Sequence, residues 1–252
     1  MVKIAIAGAN GKMGGVIANL AAQRTDCKVI AGIDLNTAPN GSFPIVKSPF
    51  DLPEKPDVII DFSHPSALED LLSYCKMNCV PAVFATTGYT EEQISSIKQA
   101  AEQIPVFFTF NMSLGINLLV ELGKQAARVL GGQFDVEIVE KHHNLKKDAP
   151  SGTAIMLAEA INKELGGKMN YVYDRHSVRK PREANEIGMH SIRGGTIVGE
   201  HDIIFAGHDE VITLSHSAGS KEVFASGAVN AAVYLAGREK GLYDMSDLLA
   251  DS

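Results

Sequence analysis

Met1-Val2-Lys3-Ile4-Ala5-Ile6-Ala7-Gly8-Ala9-Asn10-Gly11-Lys12-Met13-Gly14 is the stretch that decides the fold. Val2–Ala7 is a short apolar run that stops at glycine, the pattern of a strand buried on both faces. Three glycines follow in the spacing G-x-x-G-x-x-G, and Lys12–Arg24 has helical periodicity. Glycines let the turn close tightly and let a pyrophosphate approach the backbone, with its charge at the helix N-terminus. The usual dinucleotide spacing, G-x-G-x-x-G, differs by one residue, but the physics is the same. Lys28–Ile33 reads as the next strand. Asp34 ends it twenty residues past Gly14, where a carboxylate accepts hydrogen bonds from an adenosine ribose. A plain tight turn with an ordinary strand-end acid is the bland alternative. The ordered succession of strand, loop, helix, strand and acid favours the cofactor. A carboxylate at Asp34 repels a 2′-phosphate, Leu35 beside it offers no compensating arginine, and Lys12 offsets the repulsion only in part. NADH is therefore the expected preference, with NADPH usable.

The rhythm continues outward. Asp57–Phe62, Ala82–Ala85 and Val106–Thr109 are further short apolar runs. Between them Ser66–Met77 and Glu91–Gln103 read as helices, with Thr90 as an N-cap. Alternating β and α implies a doubly wound, Rossmann-like parallel sheet. Its ligand loops follow the strands: Ala85-Thr86-Thr87-Gly88, and Thr109-Phe110-Asn111-Met112-Ser113, which offers an amide and apolar contacts for a nicotinamide. Taken singly, each is more often an ordinary βα loop.

After Asn111 the pattern changes. Ser113–Leu130 predicts a long helix, Phe134–Glu140 a strand, and Ser151–Leu165 a helix closed by glycines. Residues 168–195 read as a charged loop. Thr196–Phe205 and Glu210–His216 read as two strands around a turn, and Glu222–Glu239 as a final apolar helix. The expected plan is a dinucleotide-binding domain from residues 1–112 and 222–252, with a second α+β domain of mixed sheet from 113–221. Hinge candidates are Met112–Gly115 and the segment near Ser220.

Composition sets the bounds. At 252 residues the chain buries a sizeable core, and a net charge of −7 argues against a broad nucleic-acid surface. An anionic ligand needs a local basic pocket. Cys27, Cys75 and Cys79 fit neither a zinc ribbon nor a disulfide framework. Cys75 and Cys79, one turn apart, read as helix packing. The glycine loop comes too early for a signal peptide, and no apolar run approaches the roughly 20 residues of a membrane span. The expectation is a reduced, cytoplasmic protein.

The chemistry concentrates in Glu140-Lys141-His142-His143-Asn144-Leu145-Lys146-Lys147-Asp148-Ala149-Pro150-Ser151-Gly152-Thr153. Histidine carries protons near neutral pH. Adjacent side chains on an extended segment face opposite ways, so one of His142 and His143 faces a ligand and the other supports it, unless a twist brings both round. Lys146 supplies fixed positive charge, and a helix opening at Gly152-Thr153 presents N–H groups to a carboxylate. A lone histidine is usually a satisfied core or surface residue, but these neighbours favour an active site. His142 and His143 lack metal-ligand spacing, and His176, His190, His201, His208 and His216 are dispersed, so no metal is expected.

From Glu137 through Ala154 the chain resembles the 4-hydroxy-tetrahydrodipicolinate reductase (dihydrodipicolinate reductase) family. Gly8–Gly14, Asp61-Phe62-Ser63, Thr86-Thr87-Gly88, Asn111-Met112-Ser113 and Arg193–His201 carry the resemblance nearly end to end. It implies that His142 is the acid/base and Lys146 a second proton donor. It implies that His143, Gly152 and Thr153 bind a cyclic imine dicarboxylate. Gly8, Ala9, Asn10, Gly11, Lys12 and Met13, with Asp34, Ala85, Thr86, Thr87, Thr109, Phe110, Asn111 and Met112, would bind NADH or NADPH. The implied reaction, in lysine (diaminopimelate) biosynthesis, adds a hydride to ring C4 with loss of the 4-hydroxyl as water. The implied assembly is a homotetramer formed through the second domain. Ala85, Thr109-Phe110, His64 and Lys221 depart from residues common in the family, which bears on cofactor preference and substrate affinity. The bottom-up chemistry agrees, because reduction of a conjugated ring leaves electron density that a nearby acid must quench. Two other readings are open: a dehydrogenase of the same plan acting on an amino acid or semialdehyde, and a non-catalytic NAD sensor. The first gives no reason for Lys146 beside Pro150-Ser151-Gly152-Thr153, and a sensor would bind NADH without oxidising it.

Overall fold

A computed structural model describes residues 1–251. The chain forms two compact units, Met1–Leu114 with the stretch from Glu222 onward, and Gly115–Lys221.

In the first unit β1 (Val2–Ala7), β2 (Cys27–Ile33), β3 (Ile45–Val46), β4 (Val58–Asp61), β5 (Ala82–Phe84), β6 (Pro105–Phe108) and β12 (Gly241–Tyr243) make one sheet. Its order is β12-β6-β5-β4-β1-β2-β3, and every pairing is parallel. Successive side chains leave a strand on opposite faces, so each strand feeds two cores. Ile4, Ile6, Ile60 and Phe107 pack with α1 (Lys12–Ala22), α6 (Glu222–Leu235) and α7 (Met245–Ala250). Ala5, Ile59, Phe84 and Val106 pack with α2 (Leu68–Asn78) and α3 (Glu91–Ala100). Burial on both faces explains why these strands read as unbroken apolar runs. The chain order reverses at β1, between β2 and β4, the place where open sheets of this kind bind ligands.

The second unit contains α4 (Leu114–Leu130, entering from the first unit), β7 (Asp135–His142), α5 (Gly152–Glu164), β8 (Asn170–Val172), β9 (Glu186–Arg193), β10 (Gly199–Ala206) and β11 (Val211–Ala218). Its sheet is mixed, in the order β11-β10-β7-β9-β8. β10 is antiparallel to β7 and β11, while β9 is parallel to β7 and β8. Val136, Ile138, Ile187, Met189, Ile203 and Phe205 form its core with Leu119 of α4 and Leu157 and Ile161 of α5.

Several expectations need correction. The charged stretch 168–195 contains β8 and β9. Two of its arginines are held by β7: Arg175 and Arg182 donate to Glu137 at 2.9 and 3.1 Å, and Arg182 also reaches Asp135 at 2.7 Å. They tie the 174–184 loop to β7, and β9 runs beside it. The C-terminal helix stops at Leu235 rather than Glu239, and the chain adds β12 and α7, both too short to show a period. Cys79 does not pack: it closes α2 in the left-handed conformation (φ 49°) and is exposed, while Cys75 lies in the core. The Thr90 cap is present, as a reciprocal capping box with Gln93.

Candidate active site

In the first unit the glycine loop is set by close approach. Gly8 has φ +80°, and a Cβ there would stand 2.3 Å from the Phe62 carbonyl oxygen. At Gly14 a Cβ would stand 2.2 Å from the Gly8 oxygen, so α1 can begin this near β1 only with glycine. Gly11 is the N-cap of α1 and offers no side-chain acceptor to the helix start. Asp34 meets this loop: its oxygens accept from Asn10 N–H and Asn36 N–H, both at 3.0 Å. The Asn10 amide in turn donates to Asn36 and Ala38 carbonyls at 2.6 and 3.0 Å. Leu35 points into solvent, 88% exposed. Among the other residues expected here, Ala9, Ala85 and Met112 have buried side chains and can present only backbone, while Lys12 and Thr87 are exposed.

The loops after β4, β5 and β6 are braced internally. Asp61 is buried and accepts from the Ser63 and Tyr89 hydroxyls, both at 2.5 Å. Burial pushes its carboxyl up, against these hydrogen bonds. Ser63 N–H donates to Thr86 Oγ1 at 2.9 Å, so the Thr86 hydroxyl holds the loop. Asn111 Oδ1 accepts from Ser113 N–H at 2.8 Å, and Thr109 Oγ1 from Asn111 N–H at 3.3 Å. Phe110 remains 78% exposed at the strand's C-terminal end.

In the second unit the site grows from strand phase. On β7 the core-facing series Val136, Ile138 continues into Glu140 and His142. The register places Ser191 and Arg193 beside these last two on β9, and His201 of β10 opposite Glu140. One sheet face thus turns from apolar to ionic along its length. Glu140 is fully buried, which is unfavourable unless every lone pair is engaged. Oε1 accepts from Arg193 Nη2 at 2.6 Å and Ser151 N–H at 3.1 Å. Oε2 accepts from Arg193 Nη1 at 2.8 Å and lies 2.6 Å from His142 Nδ1. Burial alone would raise the Glu140 carboxyl, but Arg193, then His142, outweigh it and hold it at about 2.

Ser151 caps α5, its Oγ accepting from Ala154 N–H at 3.2 Å, and the same oxygen lies 3.0 Å from His201 Nε2. His201 meets His142 edge-on, with ring centroids 5.3 Å apart. Burial, then the neighbouring His142, lower its pKa to about 4, so His201 is neutral near pH 7. Gly152 and Thr153 form the first turn of α5, and a Cβ at Gly152 would meet nothing within 4 Å. Lys146 Nζ is 2.8 Å from Asp148 Oδ2. Arg193 Nη2 also holds the Asp148 carbonyl at 2.7 Å, and Lys146 N–H donates to the His143 carbonyl at 3.1 Å. The His-His-x-x-Lys run is therefore an anchored loop.

Sequence reasoning brought out His142, Lys146, Gly152 and Thr153 but missed Glu140, Arg193, Ser151 and His201 as parts of one assembly. The missed signal was phase: Glu140 follows Val136 and Ile138, and His201 precedes Ile203 and Phe205, each at period two. Among the described residues, no group of three or more side chains is arranged to hold a metal ion, and no helix is long and apolar enough to cross a membrane.

Family comparisons cover both units. Residues 2–112 match the dihydrodipicolinate reductase N-terminal family and residues 115–249 its C-terminal family. The chain is 53% identical over 249 residues to the 4-hydroxy-tetrahydrodipicolinate reductase of Caldanaerobacter subterraneus subsp. tengcongensis, covering 99% of this chain and 98% of the relative. It is 44% identical to that of Clostridium tetani, covering 99% and 97%. A solved structure, dipicolinate-bound dihydrodipicolinate reductase from Paenisporosarcina sp. TG-14, aligns with TM-score 0.81 and 27% identity over 97% of both chains. With both units matched in order and relatives this similar along the whole length, the chain belongs to the dihydrodipicolinate reductase family.

Proposed function

We propose that this chain reduces 4-hydroxy-2,3,4,5-tetrahydrodipicolinate to 2,3,4,5-tetrahydrodipicolinate with a reduced nicotinamide dinucleotide, as an oxidoreductase of lysine (diaminopimelate) biosynthesis in the cytoplasm. The observation that carries this reading is the ionic end of the second unit's sheet: a histidine on a buried, arginine-held glutamate, with a lysine and the first turn of α5 in the same segment. That arrangement suits a small dicarboxylate that must receive a proton, and the Paenisporosarcina relative is a dipicolinate complex.

The first unit is assigned the cofactor. The residues fit: Gly8 and Gly14 clear the turn, the α1 start lacks a side-chain cap, and Asp34 stands beside it. When bound, the cofactor supplies the hydride delivered to ring C4. Gly8–Met13 hold the pyrophosphate, Asp34 the adenosine ribose, and Ala85–Thr87 with Thr109–Met112 the nicotinamide half. Because Asp34 opposes a 2′-phosphate and Leu35 gives no counter-charge, NADH is preferred over NADPH.

The second unit is assigned the substrate. The first-turn amides of α5 at Gly152 and Thr153, with His143, bind a carboxylate. His142 delivers the proton that quenches electron density on the reduced ring. Lys146 is the second proton donor: it protonates the departing 4-hydroxyl as a ring C3 proton is lost, so that water leaves before the hydride arrives and the net uptake is one hydride and one proton. The second unit also carries the contacts of a homotetramer.

A coupled assay tests the reading. Pyruvate and aspartate semialdehyde, condensed by the preceding synthase, are presented with NADH and then NADPH. Oxidation by wild type that falls ~10²-fold or more in Lys146→Ala is expected. His142→Ala should lose turnover and His143→Ala should mainly raise KM. Tight NADH binding without oxidation would overturn the reaction in favour of a sensor.

A further inference from the structure

We propose that Glu140 is a positioning residue for the acid/base histidine: locked by Arg193 and the Ser151 N–H, its carboxylate fixes which nitrogen of His142 exchanges its proton with substrate. This rests on the reading that His142 handles the substrate proton.

Beside a hydrogen bond with the Ser191 side chain, the Glu140 carboxylate takes four contacts. Oε1 has Ser151 N–H and Arg193 Nη2, and Oε2 has Arg193 Nη1 and His142 Nδ1. Three of the four are fixed donors, and an ionised carboxylate only accepts, so Nδ1 of His142 must carry hydrogen. In the neutral ring the lone pair is then on Nε2. In the imidazolium, Nε2–H is the proton that can leave. A Cβ at position 199 would stand 3.1 Å from Nε2, so Gly199 keeps that nitrogen uncrowded.

The surrounding groups leave His142 as the proton carrier of this face. From β10, His201 faces it edge-on. Ser151 Oγ accepts from Ala154 N–H and pairs with His201 Nε2, and burial keeps His201 neutral. Behind it His216 of β11 is the cross-strand partner of His201. From β9 comes Arg193, and from the loop after β7 Lys146 with Asp148. Glu140 is also the counter-charge of Arg193 and the acceptor of the Ser151 N–H, so it braces β9 and the start of α5. What a carboxylate adds is an acceptor for Nδ1 that also stabilises the imidazolium, the role an aspartate has beneath the histidine of a serine-protease triad.

Glu140→Gln tests this on the full chain. An amide keeping its oxygen toward Ser151 N–H and Arg193 Nη2 places its NH2 against Arg193 Nη1 and His142 Nδ1, so Nδ1 loses its acceptor and the neutral ring's proton moves to Nε2. Nitrogen-15 spectra of imidazole-labelled protein should show the Nδ1–H tautomer at His142 in wild type and the Nε2–H tautomer in Glu140→Gln. kcat should fall ~10²-fold or more with KM within ~3-fold, and Glu140→Asp should keep the wild-type tautomer and recover part of kcat. An Nε2–H tautomer in wild type would overturn the proposal even if the variant failed to fold. So would a folded Glu140→Gln with kcat within ~3-fold of wild type. Should His142→Ala keep wild-type turnover, the acid/base reading itself fails, whatever the tautomer at Glu140→Gln.

Discussion

Lowering the pH from about 7 to about 5 should destabilise the second unit through His201, by an amount the structure sets. His201 is 4% exposed, and its folded pKa is about 4 against an ordinary 6.5. A base whose folded pKa is depressed contributes its full stability above 6.5 and loses it progressively as pH falls toward 4. At about pH 5 the unfolded chain takes up this proton with a factor of roughly 30 and the folded chain hardly at all. RT ln 30 is about 2 kcal/mol, against about 0.2 kcal/mol at about pH 7. Glu140 does not intrude: its folded pKa is about 2 against 4.5, so its contribution is present above 4.5 and lost only below. The assay is urea unfolding of wild type and His201→Gln at both pH values. Gln can hydrogen-bond Ser151 and does not titrate, and the other histidines are common to both proteins. Wild type should lose about 2 kcal/mol more than His201→Gln on acidification. Parallel losses in the two proteins would refute the claim that His201 is buried neutral beside His142.

Further perturbations separate the parts. Arg193→Met leaves Glu140 buried without its counter-charge, and thermal and urea unfolding should register a loss of roughly 3–5 kcal/mol. Gly14→Ala drives a methyl into the Gly8 and Ala9 backbone, at 2.2 and 2.7 Å. NADH affinity by fluorescence titration should fall at least ~10-fold, with about 1–3 kcal/mol of stability lost. Asp34→Asn removes the charge that opposes a 2′-phosphate, so the NADPH-to-NADH ratio of kcat/KM should rise, by roughly 10-fold if ~1.4 kcal/mol of repulsion is relieved.

The parallel sheet was legible because its strands are buried on both faces and punctuated by glycine and aspartate. Val2–Ala7 followed by Gly8 admits few other readings. β9 was not legible: Glu186–Arg193 is buried only over its first half, and its arginine-rich neighbours look solvated until Glu137 and Asp135 on β7 are placed beside them. β12 owes its existence to pairing with β6, a contact between residues more than a hundred positions apart. At the site, the local run from His142 to Thr153 stood out because its chemistry is contiguous. Glu140, Arg193 and His201 come from three strands and converge only through register. Their one sequence trace is a polar residue sitting in apolar phase.

The central claim, that a hydride from the nicotinamide reaches C4 of a cyclic imine dicarboxylate on this chain, is tested most directly by isotope transfer. Wild-type protein is turned over on the pyruvate–aspartate semialdehyde condensation product with NADH deuterated at the transferable position of nicotinamide C4. The product ring is then examined by mass spectrometry and NMR. One deuterium at ring C4 per NADH consumed is the expected result. NADH consumption with no deuterium at C4, or no consumption of NADH, would contradict the account.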